Sequence, residues 1–169
     1  MIVIFSYLNP ILVASQSDFF SEAKSAGVDG LLLVDCPIEE SEFIRDACVT
    51  NQIDLIYVIT PSTPMSRIQY INERAQGFLY YACRKGTTGV RHGLPEGFQE
   101  NMASIKAIVS LPIVVGFGIS NNEMAKEVCS VADGVVVGSL FVKALEDGLP
   151  MLSLSKLAQD IYAISPNAD

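Results

Sequence analysis

The sequence predicts an α/β fold made of parallel β-α units, an incomplete (β/α)8 barrel. Apolar, β-branched runs alternate with helical periodicity along nearly the whole chain, which is the mark of a parallel sheet with crossover helices. The runs are apolar without alternation, as in strands covered on both faces. Three phrases, AGVDGLLLVD, AQGFLYYACR and VADGVVVGS, also share one form: a small residue, a tight turn at Gly or Asp-Gly, then a buried strand. Joints made alike favour a barrel over an open sheet with a switch point. The β-α unit occurs six times in 169 residues, whereas such a barrel closes with eight strands and about 200 residues or more. The expectation is a single domain over residues 1–169, lacking the first two units unless another chain supplies them.

Each element has its own signal in the sequence. Ile2–Ser6 is an unbroken apolar run and reads as a buried strand. Ser17–Ala26 is helical, with Ser17 to cap its start and Gly27 to end it. Gly30–Asp35 is the second strand. Ser41–Thr50 is a helix behind the acidic stretch Glu39, Glu40 and Glu42, which suits a helix N-terminus. Asp54–Ile59 is the third strand. Pro64–Ala75 is a helix with Thr63 as N-cap and Pro64 at the first helical position. The remaining strands are Gly77–Ala82, Ile113–Gly116 and Gly134–Gly138. The remaining helices are Glu96–Val109, Asn122–Val131, Leu140–Asp147 and Leu152–Ile164.

Composition narrows the function. Half the residues are hydrophobic and 18% are charged, so the chain is globular. The net charge of −8 without a basic cluster argues against nucleic acid. No apolar run reaches the length of a membrane span and no signal peptide is visible, so a cytoplasmic location is expected. Four cysteines without a C-x-x-C pair, and one histidine, make a metal site unexpected. The cysteines read as reduced and mostly buried.

In parallel (β/α) folds, ligands sit beyond the carboxyl ends of the strands. The loops after the last two strands carry Gly118, Gly138 and Ser139, with Ser139 heading a helix that starts at Leu140. Backbone amides there suit a phosphate; the alternative is that the glycines only make turns. Tyr7, Tyr80 and Phe117 fall at strand ends on one face, as an aromatic pocket or as rim packing. The long loop from Cys83 to Arg91 has the character of a lid. Asp35 is a base, an orienter or a loop cap. His92 reads as exposed.

The phrases FSYLNPI, AGVDGLLLVDCPIEES, GFLYYACRKGTTG, VVGFGIS and GSLFVK, in this order and spacing from Ile2 to about Ala158, resemble the α subunit of tryptophan synthase. The resemblance implies a TIM barrel, of which this chain matches strands 3 to 8. It implies a lyase of tryptophan biosynthesis that cleaves indole-3-glycerol phosphate by a retro-aldol step to indole and glyceraldehyde 3-phosphate. It also implies a β subunit as partner in an α2β2 complex, with the PLP cofactor in that subunit and none in this chain. On the same footing, Tyr7, Leu32, Val34, Val58 and Phe117 line the indole pocket. Gly89, Gly118, Gly138 and Ser139 bind the phosphate. Tyr80 lies near the catalytic carboxylate, and Thr88 is the lid threonine. Asn9 and Pro10 lie in a loop facing the β subunit.

Two departures from the family's pattern stand out. The family's catalytic Glu and Asp belong to a motif absent here, and would precede residue 1. Lys85 and Thr87 stand in the lid where Ala and Val are usual. The chain is therefore expected to keep the phosphate and indole positions with little or no lyase activity alone. A non-catalytic remnant that binds ligand or a β subunit is the alternative, and another phosphate-binding barrel of tryptophan or histidine biosynthesis a more distant one. Open sheet edges predict self-association.

Overall fold

The computed structural model describes residues 1–15, 18–83, 94–116 and 122–162. The described elements run β1 (Val3–Ser6), α1 (Leu8–Ala14), α2 (Phe19–Ser25), β2 (Gly30–Leu33), a 3-10 turn (Ile38–Glu40), α3 (Glu42–Thr50), β3 (Asp54–Ile59) and α4 (Met65–Asn72). They continue with β4 (Leu79–Ala82), α5 (Phe98–Lys106), β5 (Ile113–Gly116), α6 (Asn122–Cys129), β6 (Gly134–Val135), α7 (Ser139–Glu146) and α8 (Met151–Tyr162). They form two compact units, one of Met1–Val58 with Pro64–Leu79 and one of Ile59–Thr63 with Tyr80–Asp169.

In the first unit β1, β2 and β3 lie side by side in sequence order, all parallel. Phe5 is level with Leu32, and Leu32 with Ile56. Side chains alternate across a sheet, so Leu31, Leu33, Leu55 and Tyr57 point the other way, and all four are buried. The helices turn their own buried residues inward, Ile44 and Cys48 on α3 and Ile68 and Ile71 on α4. Ser41, also buried, donates its hydroxyl proton to the Ile38 carbonyl at 2.8 Å and so accepts from the Tyr57 hydroxyl at 2.6 Å. That relay ties the 3-10 turn to the middle of β3.

The repeated joint has a physical reason. Asp29, ahead of Gly30, accepts the Ile2 N–H at 2.8 Å, and Asp133, ahead of Gly134, accepts the Ile113 N–H at 2.8 Å. Each aspartate closes the backbone at the entrance of the neighbouring strand, where the ladder has run out. In the third copy the residue before the glycine is Gln76. Its N–H reaches the Leu55 carbonyl at 3.4 Å, while its side-chain Oε1 is buried with no hydrogen-bond partner among the described residues.

In the second unit β4, β5 and β6 again follow the sequence order, with Val114 level with Gly134 and Val115 with Val135. Ile113, Val115, Met102, Ile105, Ala125 and Val128 form its buried interior. Tyr81 is buried towards α5, where its hydroxyl accepts from Asn101 Nδ2 at 2.6 Å and its ring meets the edge of Phe98.

Several expectations need correction. The apolar run at Ile2–Ser6 is not covered on both faces: Ile2 is 54% and Phe5 56% exposed. Among the described residues β1 pairs with β2 alone, so the apolar run here belongs to an edge strand. The stretch after it is not a loop but helix α1, and Asn9 and Pro10 lie inside it. Pro10 is the third residue of that helix, within the first turn, where a backbone N–H has no intrahelical acceptor to lose. Thr63 does not cap α4. Its hydroxyl accepts the Thr60 N–H at 3.0 Å, and Pro64 is itself the N-cap, in extended backbone. Helix α7 begins at Ser139 rather than Leu140, with Gly138 as N-cap.

The helix end at Gly27 is as expected: at φ +88° it lets its own N–H reach Lys24 O at 2.9 Å and the next N–H reach Ala23 O at 3.0 Å. The same pair of bonds ends α3, but there Gln52 takes the left-handed place, at φ 56°.

Candidate functional site

Of the residues expected to form the site, Tyr7, Leu32, Val34, Val58, Tyr80, Gly138 and Ser139 lie among the described residues. In the first unit the register carries Leu32 and Val34 onto the face shared with Phe5 and Ile56. Tyr7 and Val58 follow two residues after Phe5 and Ile56, on that same alternation. Leu32 is buried, Val58 half-buried and Val34 partly exposed, while Tyr7, at the end of the open edge strand, is 63% exposed. Leu32 and Val58 thus share a strand face, while Val34 and Tyr7 lie just past the ends of β2 and β1.

The backbone on either side of Tyr7 is held by the neighbouring strand. Val34 N–H donates to the Ser6 carbonyl at 3.1 Å, and Leu8 N–H donates to Asp35 Oδ1 at 2.6 Å. Asp35 thus caps a backbone amide at the start of α1. A little further on, Glu39 takes both Arg67 guanidinium nitrogens, at 2.6 and 2.7 Å, and this hydrogen-bonded pair holds its carboxyl below the usual carboxylate range.

In the second unit Tyr80 lies within β4 rather than at its end, and is buried. Its ring and hydroxyl occupy the space above Gly116 where any other residue would place its Cβ. Burial, with a lesser contribution from Cys83, pushes the Tyr80 phenol up to about 12, so at neutral pH it is a hydrogen-bonding group and not a base. Gly116 was legible in the GFGIS phrase as a strand-end glycine, but alternation in one strand does not say whose ring it makes room for.

The sixth strand stops at Val135, short of the expected Gly138, which instead (φ −117°) heads α7 without a side-chain cap. Intrahelical bonding starts with Phe141 N–H and Val142 N–H, both donating to the Gly138 carbonyl, which leaves the Ser139 and Leu140 amides at the open end of the helix dipole. A Cβ on Gly138 would meet nothing within 4 Å among the described residues. Neither a positive φ nor packing among the described residues requires glycine there. Thr88, Gly89, Phe117, Gly118 and His92 lie outside the described residues.

A cavity of about 460 Å³ lies elsewhere in this unit, lined by Ala103, Lys106 and residues 129 to 133. It belongs to the amino ends of β5 and β6, and its charged groups are spent on each other: Lys106 Nζ meets Asp133 Oδ1 at 2.9 Å. Among the described residues no group of three or more His, Cys, Asp or Glu side chains could hold a metal ion, and no helix is long and apolar enough to cross a membrane. The four cysteines carry no disulfide; Cys48 and Cys83 are buried, and Cys36 and Cys129 half-buried.

Comparison with known proteins gives this geometry a context. A family model described as tryptophan synthase alpha chain matches residues 1–164. The tryptophan synthase alpha chain of Coxiella burnetii is 49% identical over 166 residues, which are 98% of this chain and 64% of that one. That of Opitutus terrae is 42% identical over 159 residues, covering 93% and 60%. Among solved structures, a Mycobacterium tuberculosis tryptophan synthase chain superimposes with a TM-score of 0.86 at 31% identity, over 96% of this chain and 62% of that one. A chain of the tryptophan synthase α2β2 complex from Pyrococcus furiosus does so with a TM-score of 0.77 at 34% identity, over 86% and 59%. The fold is that of six consecutive β-α units of a TIM barrel. The chain spans under two thirds of the length of these relatives.

Proposed function

We propose the following function for this chain, which belongs to the tryptophan synthase alpha chain family: it supplies the phosphate cradle and the indole-pocket wall for indole-3-glycerol phosphate. The reaction it serves is retro-aldol cleavage, in which the bond between indole C3 and the glycerol chain breaks, releasing indole and glyceraldehyde 3-phosphate. In this reading the phosphate rests on Gly138, Ser139 and the α7 amides, with Gly89 and Gly118. The indole ring lies against Tyr7, Leu32, Val34, Val58 and Phe117. Tyr80 stands beside the reacting ring as a neutral phenol, and Thr88 closes the lid.

One observation carries the proposal. Gly138 has open space around it among the described residues and stands where a helix presents free amides. Close approach of an anion from outside explains it.

The chemistry requires a base to take the indole N–H proton and an acid to protonate C3. The two carboxylates that follow β2 are otherwise engaged, Asp35 with the Leu8 amide and Glu39, in the 3-10 turn, with Arg67. Neither stands in for the family's Glu and Asp, so the 169-residue chain alone binds substrate without turning it over. No cofactor belongs to this chain in the proposal. The α2β2 complex named for the Pyrococcus furiosus relative supports a β subunit as partner, met in this proposal by the α1 segment with Asn9 and Pro10, with the PLP cofactor assigned to that subunit. The test is indole release from indole-3-glycerol phosphate by the purified 169-residue chain. No release above background is expected, and sustained turnover would overturn the non-catalytic reading.

A further inference from the structure

We infer that Asp35 is a positioning residue for the ligand pocket, setting Tyr7 through the first turn of α1. The inference rests on the reading of Tyr7 as a wall of the indole pocket. Tyr7 is the N-cap of α1, in extended backbone (φ −90°, ψ 161°), and its own side chain makes no capping bond. Its ring is mostly exposed, so its backbone sets where the ring stands. That backbone is pinned from both sides by the end of β2: the Ser6 carbonyl by Val34 N–H at 3.1 Å, and the Leu8 N–H by Asp35 Oδ1 at 2.6 Å. The Leu8 bond is the shorter and the only one made by a side chain, so it is the one a substitution can remove. It is a charge-assisted bond to a helix N-terminus, where a carboxylate is also favoured by the dipole.

The fold contains its own control. Asp29, at the other end of β2, makes an equivalent bond to the Ile2 N–H at 2.8 Å, across the same separation of 27 residues. In barrels of this kind the amino ends of strands serve stability and the carboxyl ends serve the ligand. Removing either aspartate frees one backbone N–H beside β1, but only Asp35 adjoins Tyr7.

The experiment compares Asp35→Ala, Asp35→Asn and Asp29→Ala in the 169-residue chain. Indole and inorganic phosphate are the probes, and the NMR signal of the Tyr7 ring, assigned with Tyr7→Phe, is an independent readout. The chain contains no tryptophan, so indole fluorescence is read without background. Asp35→Ala is expected to weaken indole binding by about tenfold, the lower end of what a charged hydrogen bond supplies, and to shift the Tyr7 ring signal with phosphate affinity unchanged. Asp35→Asn, which keeps an oxygen acceptor, should stay within about twofold of wild type. Asp29→Ala should leave indole affinity and the Tyr7 signal unaltered. An unmoved Tyr7 signal in Asp35→Ala, or equal effects from Asp29→Ala, would overturn the inference. If wild type itself fails to bind indole, the pocket reading falls, and the Tyr7 signal alone decides the role of Asp35.

Discussion

A methyl group at position 116 would collide with the hydroxyl and ring of Tyr80. Gly116→Ala is therefore expected to cost about 1–3 kcal/mol, the usual penalty of overpacking a core. Urea melts should show the loss shrinking when Tyr80→Ala is added, because the two residues share one space. Gln52 makes the opposite case. It holds a left-handed conformation that costs a side chain about 1 kcal/mol, and its backbone carbonyl receives Lys24 Nζ at 2.8 Å whatever the side chain. Gln52→Gly should raise stability by about 0.5–1 kcal/mol, with α3 and its C-terminal bonds intact. Residue types and strand ends were enough to mark Gly138, Ser139 and Tyr7. The partners of Asp35 and of Gly116 were not legible, because each lies 27 or more residues away in sequence and becomes a neighbour only through strand register.

The Asp-Gly joints were legible because they repeat, and their function emerges at the level of paired strands. Burial alone would raise the Asp133 carboxyl, but the Ile113 N–H and the Lys106 ammonium outweigh it and hold the group below the ordinary carboxylate range. A lowered folded-state value stabilises the fold fully above the unfolded value of about 3.9 and loses that contribution as pH falls through the folded value. Thermal melts should therefore decline more steeply below about pH 4 for wild type than for Asp133→Asn. Gln76 occupies the equivalent place in the third joint, with its Oε1 unpartnered among the described residues. Gln76→Met is expected to be neutral or stabilising by up to about 1–2 kcal/mol, since a buried orphan acceptor is removed. The strand-helix alternation itself was readable from apolar runs, and β3 and β5 fall where those runs lie. Helix α1 was hidden by Pro10, which reads as a breaker until its place in the first turn is known. The exposure of β1 was hidden because an apolar run looks the same whether or not a neighbour covers it.

At the scale of the whole chain, apolar surface is left open within each unit. The first exposes Ile2, Phe5, Tyr7 and Val13, and the second exposes Val142, Leu145, Met151 and Leu152. Exposed apolar patches and open strand edges drive association. The isolated chain should therefore form dimers or larger species by light scattering at tens of micromolar, and a stable monomer would count against that expectation. Its relatives carry more than a third of their length beyond what this chain matches. The most direct test is a calorimetric titration of wild type and Gly138→Leu with indole-3-glycerol phosphate, with free indole assayed in the same cell afterwards. The account predicts saturable binding by wild type, at least about tenfold weaker binding by Gly138→Leu, and no indole released by either. Equal binding by the two proteins, or indole accumulating with the wild-type chain, would contradict it.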